Sequence, residues 1–439
     1  MMSQVQRSHW TSRIGFVLAS AGGAVGLGNI WRFPYMTGEN GGSIFILIYL
    51  GCVILLGLPV MIAEVLIGKT TQLNPVGAFR QLAGSKSPWQ VPGYMGILTA
   101  FTILSFYSVV AGWCIAFLYK AVTGVFSSGI SFEEINNIFK KLTSSPIEQG
   151  IFHSIFMFFT VLIVYAGVKK GLQRWSEILM PLLILIIIIL IGYGLTLSGA
   201  KDGMRFLLEP QPNKLTHKSI MDAVGQCFFS LSLGMGAMLT YGSYMDRKDK
   251  VVSPCLWVVF MDSAIALLAG IAVFTIVFTY TTDLSQGPGL VFVVLPNIFS
   301  KMPLGTLFAI LFFTLLFFAA ITSAISLLEV ITAYFIDQYD MPRSHATIIF
   351  GTICLIIGVG CIFSGEFFDF LDKLSTHYLL PIGGFMISLF AGWKLDQNIV
   401  KSEFQGSWYG IFYYPWLICV RVICPTLILL VFLRAHGVI

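Results

Sequence analysis

The sequence predicts an all-α polytopic membrane protein: two groups of five helices, the second inverted relative to the first, and one further helix. Three observations lead there. The 439 residues are 56% hydrophobic and only 11% charged, whereas soluble domains carry about 25% charged residues. Eleven apolar segments are long enough to cross a hydrocarbon core ~30 Å thick, which takes ~20 helical residues. Two of these segments, five apart, are interrupted by glycine in their middle.

The first segment, near 12–37, contains AGGAVGLGNIWRFP from Ala21 to Pro34, with glycines at Gly22, Gly23, Gly26 and Gly28 and then Asn29 and Arg32. Each glycine adds backbone freedom that a helix must remove. Unpaired backbone groups are costly in hydrocarbon, so a broken helix belongs where it lines a cavity or packs on protein. With Gly, Asn and Arg in its centre and no small-residue cleavage site, the segment does not read as a removable signal peptide. Segments near 42–68, 93–124, 151–168 and 175–197 complete a first group over 12–197. The sixth, near 219–244, reads VGQCFFSLSLGMGAMLTYGSY from Val224 to Tyr244 and is interrupted at Ser232–Gly236. Segments near 252–281, 305–336, 346–363 and 368–394 complete a second group over 219–394, and the eleventh lies near 408–434. Residues 125–150, 198–218 and 282–304 read as the longer loops, and 1–439 as one transmembrane domain.

Broken helices at matching positions in two halves are the pattern of an inverted-repeat secondary transporter, with the binding site at the breaks. Five is odd, so the second group starts from the opposite face. Glycine also serves helix packing, as in GxxxG contacts, but two interruptions five segments apart favour the repeat.

Short loops set the orientation. Arg7 and Arg13 precede the first segment, Lys69, Arg80 and Lys86 follow the second, Lys169, Lys170 and Arg174 join the fourth and fifth, and Arg247, Lys248 and Lys250 join the sixth and seventh. All fall on one side, which predicts a cytoplasmic N-terminus and, with eleven spans, an extracytoplasmic C-terminus. The net charge of +5 is mostly this bias, and there is no basic cluster that suggests nucleic acid. The eight cysteines are scattered through apolar segments without CxxC spacing and read as small buried hydrophobes. His9, His153, His217, His345, His377 and His436 are dispersed, with no catalytic or metal constellation, so an enzyme reading finds no support.

GLGNIWRFP at Gly26–Pro34, ENGGSIF at Glu39–Phe45, SLSLGMG at Ser230–Gly236 and AAITSAIS at Ala319–Ser326 closely resemble the neurotransmitter:sodium symporters. The similarity runs from Arg7 to at least Asp372, and the closing segment with Arg421 fits it too. Eleven spans look like the bacterial amino-acid branch, which implies the leucine-transporter-like inverted repeat and a bacterial inner membrane.

Sodium is a hard cation that wants oxygen ligands. Unwound backbone frees carbonyls for it, and half-helix N-termini face an anionic carboxylate. The resemblance implies two ions. One site would use the carbonyl of Ala24 and the side chains of Asn29, Ser230 and Asp262, completed by the substrate carboxylate. The other would use the carbonyls of Gly22, Val25 and Ala319 with the hydroxyls of Thr322 and Ser323, which on their own would more often back-bond to their helix. Many members of the family carry Asn where Asp262 stands and hold chloride with a serine one turn later. Here that residue is Ala266, so chloride independence is expected, although Tyr49, Gln226 and Ser230 match other parts of the chloride site.

Substrate class turns on Gly26, where the family's monoamine carriers have an aspartate. Glycine leaves space for an amino acid's own carboxylate, with Tyr107 as the matching hydroxyl donor. The resemblance implies substrate binding at Ala24, Gly26, Gly28, Ser230 and Gly234 as well, and the side-chain pocket would then be Ile103, Phe229, Ser232, Met235, Ser326 and Leu327. Methionine adapts its shape readily, so the expectation is a neutral, large apolar or aromatic L-amino acid. The alternative is another amine, osmolyte or polar amino acid on the same fold, or a channel or receptor. Glu329 either faces the cavity or sits below it, paired.

Arg32 and Asp372 match an outer charge pair above a lid of Tyr107 and Phe229. Arg7 and Asp337 look like the cytoplasmic pair, with Trp10 and Tyr244 beside them, although Arg7 also reads as a solvated topology signal. Gly171 and Pro181 bracket nine residues where this family's fifth helix unwinds inward, and Pro181 leaves a helical hydrogen bond unmade there. Glu64 resembles a carboxylate that braces the two broken helices. Partners are then an amino-acid substrate and the bilayer, with monomer or homodimer left open.

Overall fold

A computed structural model of the chain describes residues 8–126, 130–280, 290–405 and 408–435, and among these there are helices and no strands. Among the described residues nine helices are long and apolar enough to cross a membrane, a bent pair makes a tenth, and two short helices stand where the sixth of the eleven expected spans was read. Span 1 is Arg13–Ala24 and Gly28–Glu39, bent by 51° at the break. Span 2 is Ser43–Thr71, span 3 Pro88–Val122, span 4 Pro146–Tyr165 and span 5 Val168–Gly194. Span 6 consists of His217–Ser230 and Ala237–Gly242. Span 7 is Val252–Tyr280, span 8 Gly305–Tyr339, span 9 Arg343–Phe363, span 10 Gly365–Lys394 and span 11 Tyr409–Arg434. Spans 1–5 and 6–10 form the inverted repeat, each half opening with its broken helix.

Local chemistry explains both breaks. Span 1 starts at the Ser12 cap, whose hydroxyl accepts from Gly15 N at 3.0 Å. At Val25 the backbone turns extended (ψ 108°) and the helix stops. Asn29, in the first turn of the second half, reaches back into the break, its Oδ1 accepting from Gly26 N at 3.0 Å, which satisfies a backbone donor left free there. In span 6, Ser232, Gly234 and Gly236 take φ of 53°, 77° and 74°. Glycine tolerates such angles, and Ser232 is the strained member. Its hydroxyl donates to Gly23 O at 3.0 Å and so ties one break to the other. Glu64 Oε1 accepts from Gly234 N at 2.7 Å, holding the unwound strand from span 2.

Small residues let the backbones meet. A Cβ on Gly68 would stand 1.9 Å from Leu239 O, and one on Gly242 would stand 2.5 Å from Val65 O, so span 2 and the inner half of span 6 touch main chain to main chain. On the other side of the break, Gly383 approaches Gly234 O just as closely.

Three expectations shift. Span 4 begins at Pro146 rather than near 151, because Ser145 caps it and proline is pre-set for a first helical turn. The stretch 125–150, read as a loop, contains the helix Phe132–Ser144, opened by a reciprocal cap in which Ser131 accepts from Glu134 N and Glu134 from Ser131 N. The loops 198–218 and 282–304 likewise hold the helices Ala200–Leu208 and Leu295–Lys301.

Candidate functional site

The two breaks meet at the centre of the bundle. Asn29 Nδ2 donates to Ser230 Oγ at 2.9 Å and to Asp262 Oδ1 at 2.8 Å and its carbonyl at 3.1 Å. Ser230 Oγ donates to the Asp262 carboxylate at 2.8 Å, and Tyr49 OH reaches Asp262 Oδ2 at 3.3 Å. All four side chains are fully buried. An ionisable group at this depth needs partners or a function, and here span 7 delivers a carboxylate into a ring of amide and hydroxyl groups. Gln226 Nε2 holds Gly28 O at 2.7 Å, while its Oε1 has no partner. Ala266, a turn beyond Asp262, is also fully buried and offers no polar atom.

A second oxygen cluster lies where span 1 crosses span 8. Val25 O is approached by Thr322 Oγ1 and Ser323 Oγ, both at 3.4 Å. Thr322 also bonds back to Phe318 O at 3.0 Å and Ala319 O at 3.1 Å, the habit expected of a threonine within a helix. Gly22 lies against the same place, since a Cβ on it would be 3.5 Å from Thr322 Cβ and 3.4 Å from Ser176 Oγ. Ser176 Oγ is buried without a partner, and sequence reasoning missed it. Its position within the 171–181 stretch was the available signal. That stretch is wound: Gly171 sits in a wide turn and Pro181 inside a continuous helix, Arg174–Gly194.

Between the clusters is a small cavity lined by Ala24, Gly26, Gly28, Ile103, Tyr107, Phe229, Ser232, Met235, Ser323 and Leu327. Tyr107 OH accepts from Leu27 N at 3.2 Å, which leaves its own proton to offer. The space at Gly26 is bounded by hydroxyls, for a Cβ there would meet Ser323 Oγ at 2.3 Å and Tyr107 OH at 3.0 Å. Three residues assigned to the substrate stand outside this lining. Ser230 belongs to the Asp262 cluster, Gly234 is held by Glu64, and Ser326 donates to Ser323 O at 2.7 Å while packing on Gly23.

Outward of the cavity, the Arg32 guanidinium lies 4.9 Å above the Phe229 ring. Arg32 and Asp372 share Tyr35 and His377 as electrostatic neighbours but are not joined in an ion pair within 4.0 Å. On the inner side, Trp10 Nε1 donates to Tyr241 O at 2.9 Å and its ring meets Tyr244 edge-on at 5.8 Å. Asp337 Oδ2 accepts from Asn74 N at 2.9 Å and Nδ2 at 3.1 Å. Arg7, expected to pair with Asp337, lies outside the described residues. Glu329 is not in the cavity: Arg343 grips it bidentately at 2.7 and 2.8 Å, and Tyr244 OH donates to it at 2.5 Å. Arg343 is a partner of Glu329 that the sequence reading did not name, since an arginine at a helix start looks like an ordinary topology charge.

The profile of the Sodium:neurotransmitter symporter family matches residues 7–143 and 149–437. The uncharacterized sodium-dependent transporter YhdH of Bacillus subtilis (strain 168) is 38% identical, covering all of both chains. The human sodium- and chloride-dependent GABA transporter 2 is 25% identical over 96% of this chain and 79% of its own. Among solved structures, the crystal structure of MhsT in complex with L-phenylalanine superposes with a TM-score of 0.91, at 43% identity over 98% of this chain and 100% of the other.

Proposed function

The chain belongs to the sodium:neurotransmitter symporter family and is a sodium-dependent symporter; from that premise we propose that it carries neutral, large apolar or aromatic L-amino acids by alternating access. The observation that carries this reading is the cavity itself. Its floor is Gly26 and Tyr107, where a carboxylate can accept a hydrogen bond from the Tyr107 hydroxyl, and its walls are Ile103, Phe229, Met235 and Leu327. Ser232 is the one hydroxyl from span 6 in the lining, and it is already given to Gly23 O. No acid stands at position 26 to receive a substrate's amine. That a solved relative at 43% identity holds L-phenylalanine supports the same class.

Two sodium ions travel with the substrate, one at Ala24, Asn29, Ser230 and Asp262, the other at Gly22, Val25, Ala319, Thr322 and Ser323. For the first, Asn29 presents its amide oxygen and Asp262 exchanges its Asn29 hydrogen bond for the cation. Asp262 supplies the negative charge that chloride supplies elsewhere, so transport runs without chloride. Each sodium entering down the membrane potential contributes ~2.3 kcal/mol per 100 mV, beside its concentration gradient. Ions and substrate close the protein only by binding its outward and inward states unequally.

The basic loops support a cytoplasmic N-terminus, and the bacterial relative supports a bacterial inner membrane in which the chain is a single domain. The deciding experiment is uptake into proteoliposomes, competed by each of the twenty amino acids, with and without sodium. Sodium-dependent accumulation inhibited best by leucine, methionine, phenylalanine, tyrosine or tryptophan is expected. Inhibition by monoamines, or uptake indifferent to sodium, overturns the reading.

A further inference from the structure

We propose that a chain of aromatic rings centred on Phe292 and Trp113 holds the outer mouth shut, which makes these two side chains positioning residues for the occluded state. The proposal rests on the alternating-access reading above. Neither residue lines the cavity.

The rings cross the elements that must part for the mouth to open. Trp31, in the outer half of span 1, meets Phe292 edge-on at 6.5 Å. Phe292 belongs to the wide turn Leu290–Val294, just before the helix Leu295–Lys301. It meets Trp113 of span 3 at 5.9 Å, the two rings at 86°. Trp113 then stacks on Phe368 of span 10 at 6.2 Å and 19°, and Phe368 returns to span 3 at Phe106, 5.6 Å away. These separations fall within the ~4.5–7 Å over which aromatic pairs attract beyond their buried area. Trp113 follows Tyr107 by six residues toward the outer end of span 3, so the rings lie outward of the cavity.

The two ends of the chain are neighbours of the outer charges. Trp31 directly precedes Arg32, and Phe368 shares a helix face with Asp372 one turn deeper. Arg32 and Asp372 are not themselves ion-paired. Arg32 Nε is buried without a partner, and its Cζ is committed to the Phe229 ring at 4.9 Å. Rings thus join the outer parts of spans 1 and 10 where the charges do not.

Phe292 is also pinned from behind. It is 1% exposed. Phe139, on the polar helix Phe132–Ser144, stacks on it at 5.5 Å and 3°, and Phe313 of span 8 at 6.3 Å and 19°. The ring has nowhere to turn, so span 1 and span 3 close against a fixed surface.

The test is the rate at which labelled phenylalanine leaves the full chain at saturating sodium. Trp113→Leu breaks two links of the chain and should speed release about tenfold, as should Phe292→Leu. Trp113→Phe keeps a ring and should stay within about threefold of the unaltered rate. Phe368→Leu, at a partly buried ring, should speed release in the same direction and keeps the test open should Phe292→Leu fail to fold. Phe317→Leu removes the rings that Phe156 and Phe159 of span 4 meet at 6.3 Å, away from the mouth, and should leave the rate unchanged. Asp372→Asn should speed release less than Trp113→Leu does. Rates unaltered in both Trp113→Leu and Phe368→Leu, equal acceleration by Phe317→Leu, or a larger effect of Asp372→Asn overturns the aromatic latch and leaves the transport reading standing. Absence of sodium-dependent phenylalanine binding by the unaltered protein overturns that reading and the latch with it.

Discussion

Asn29 and Asp262 are joined twice: one amide nitrogen lies 2.8 Å from the Asp262 carboxylate and 3.1 Å from its backbone carbonyl. The broken first span is thereby fastened to span 7 through the buried Asp262 carboxylate.

Replacing that carboxylate should change which anion the transporter needs. Asp262→Asn is expected to weaken sodium-driven uptake by at least about 2 kcal/mol, or ~30-fold, as for a buried charge partner removed. Adding Ala266→Ser should restore part of the uptake only when chloride is present. Uptake in chloride against gluconate is the measurement, and restoration indifferent to chloride counts against Asp262 as the charge substitute.

Gly26→Ala places a methyl group where Ser323 Oγ stands 2.3 Å away. Ser323 must turn, and it is also one of the two hydroxyls on Val25 O. One substitution should therefore weaken substrate and sodium together, each about tenfold or more (~1.4 kcal/mol). Binding of labelled phenylalanine at several sodium concentrations reads both. A loss confined to substrate shows that Ser323 is not a sodium ligand.

Met235 and Leu327 both line the cavity. Met235→Phe replaces an adaptable side chain with a rigid ring and should shift competition toward smaller apolar amino acids. The expected change in the phenylalanine-to-valine affinity ratio is ~10-fold, the scale of a methylene or two in a closed pocket. An unchanged ratio places the side-chain pocket elsewhere.

Glu329→Gln leaves Arg343 with half a partner. The Glu329 side chain is fully buried, while that of Arg343 is 26% exposed, so the cost should fall near the lower end of the ~3–5 kcal/mol seen when one member of a buried pair is lost. Thermal unfolding in detergent reads it, and the double replacement Glu329→Gln with Arg343→Gln should recover part of the loss. Strict additivity of the two single variants means that the pair does not act as a unit.

Most of the fold was legible because hydrocarbon demands long apolar helices and leaves few other solutions. The break at Ala21–Pro34 announced itself through glycine, and Ser230–Gly236 did the same. What escaped was set by tertiary partners. Arg343 carries no local sign that Glu329, fourteen residues earlier, is its target. Ser326 shares a helix face with pocket residues, yet its hydroxyl turns back to Ser323 O. The helix Phe132–Ser144 was readable in principle, since Ser131 and Glu134 have capping-box spacing, but hydropathy alone passes over a polar helix.

Gly68 against Leu239 O and Gly242 against Val65 O bring the main chains of span 2 and the inner half of span 6 together with no side chain between them at those two points. A joint without side chains has no rotamers to exchange, so the two helices cannot slide past one another in small steps. They form one lever, and its fulcrum is the stretch 231–236, where three positive φ angles cluster. Whatever opens the inner mouth must swing span 2 along with it.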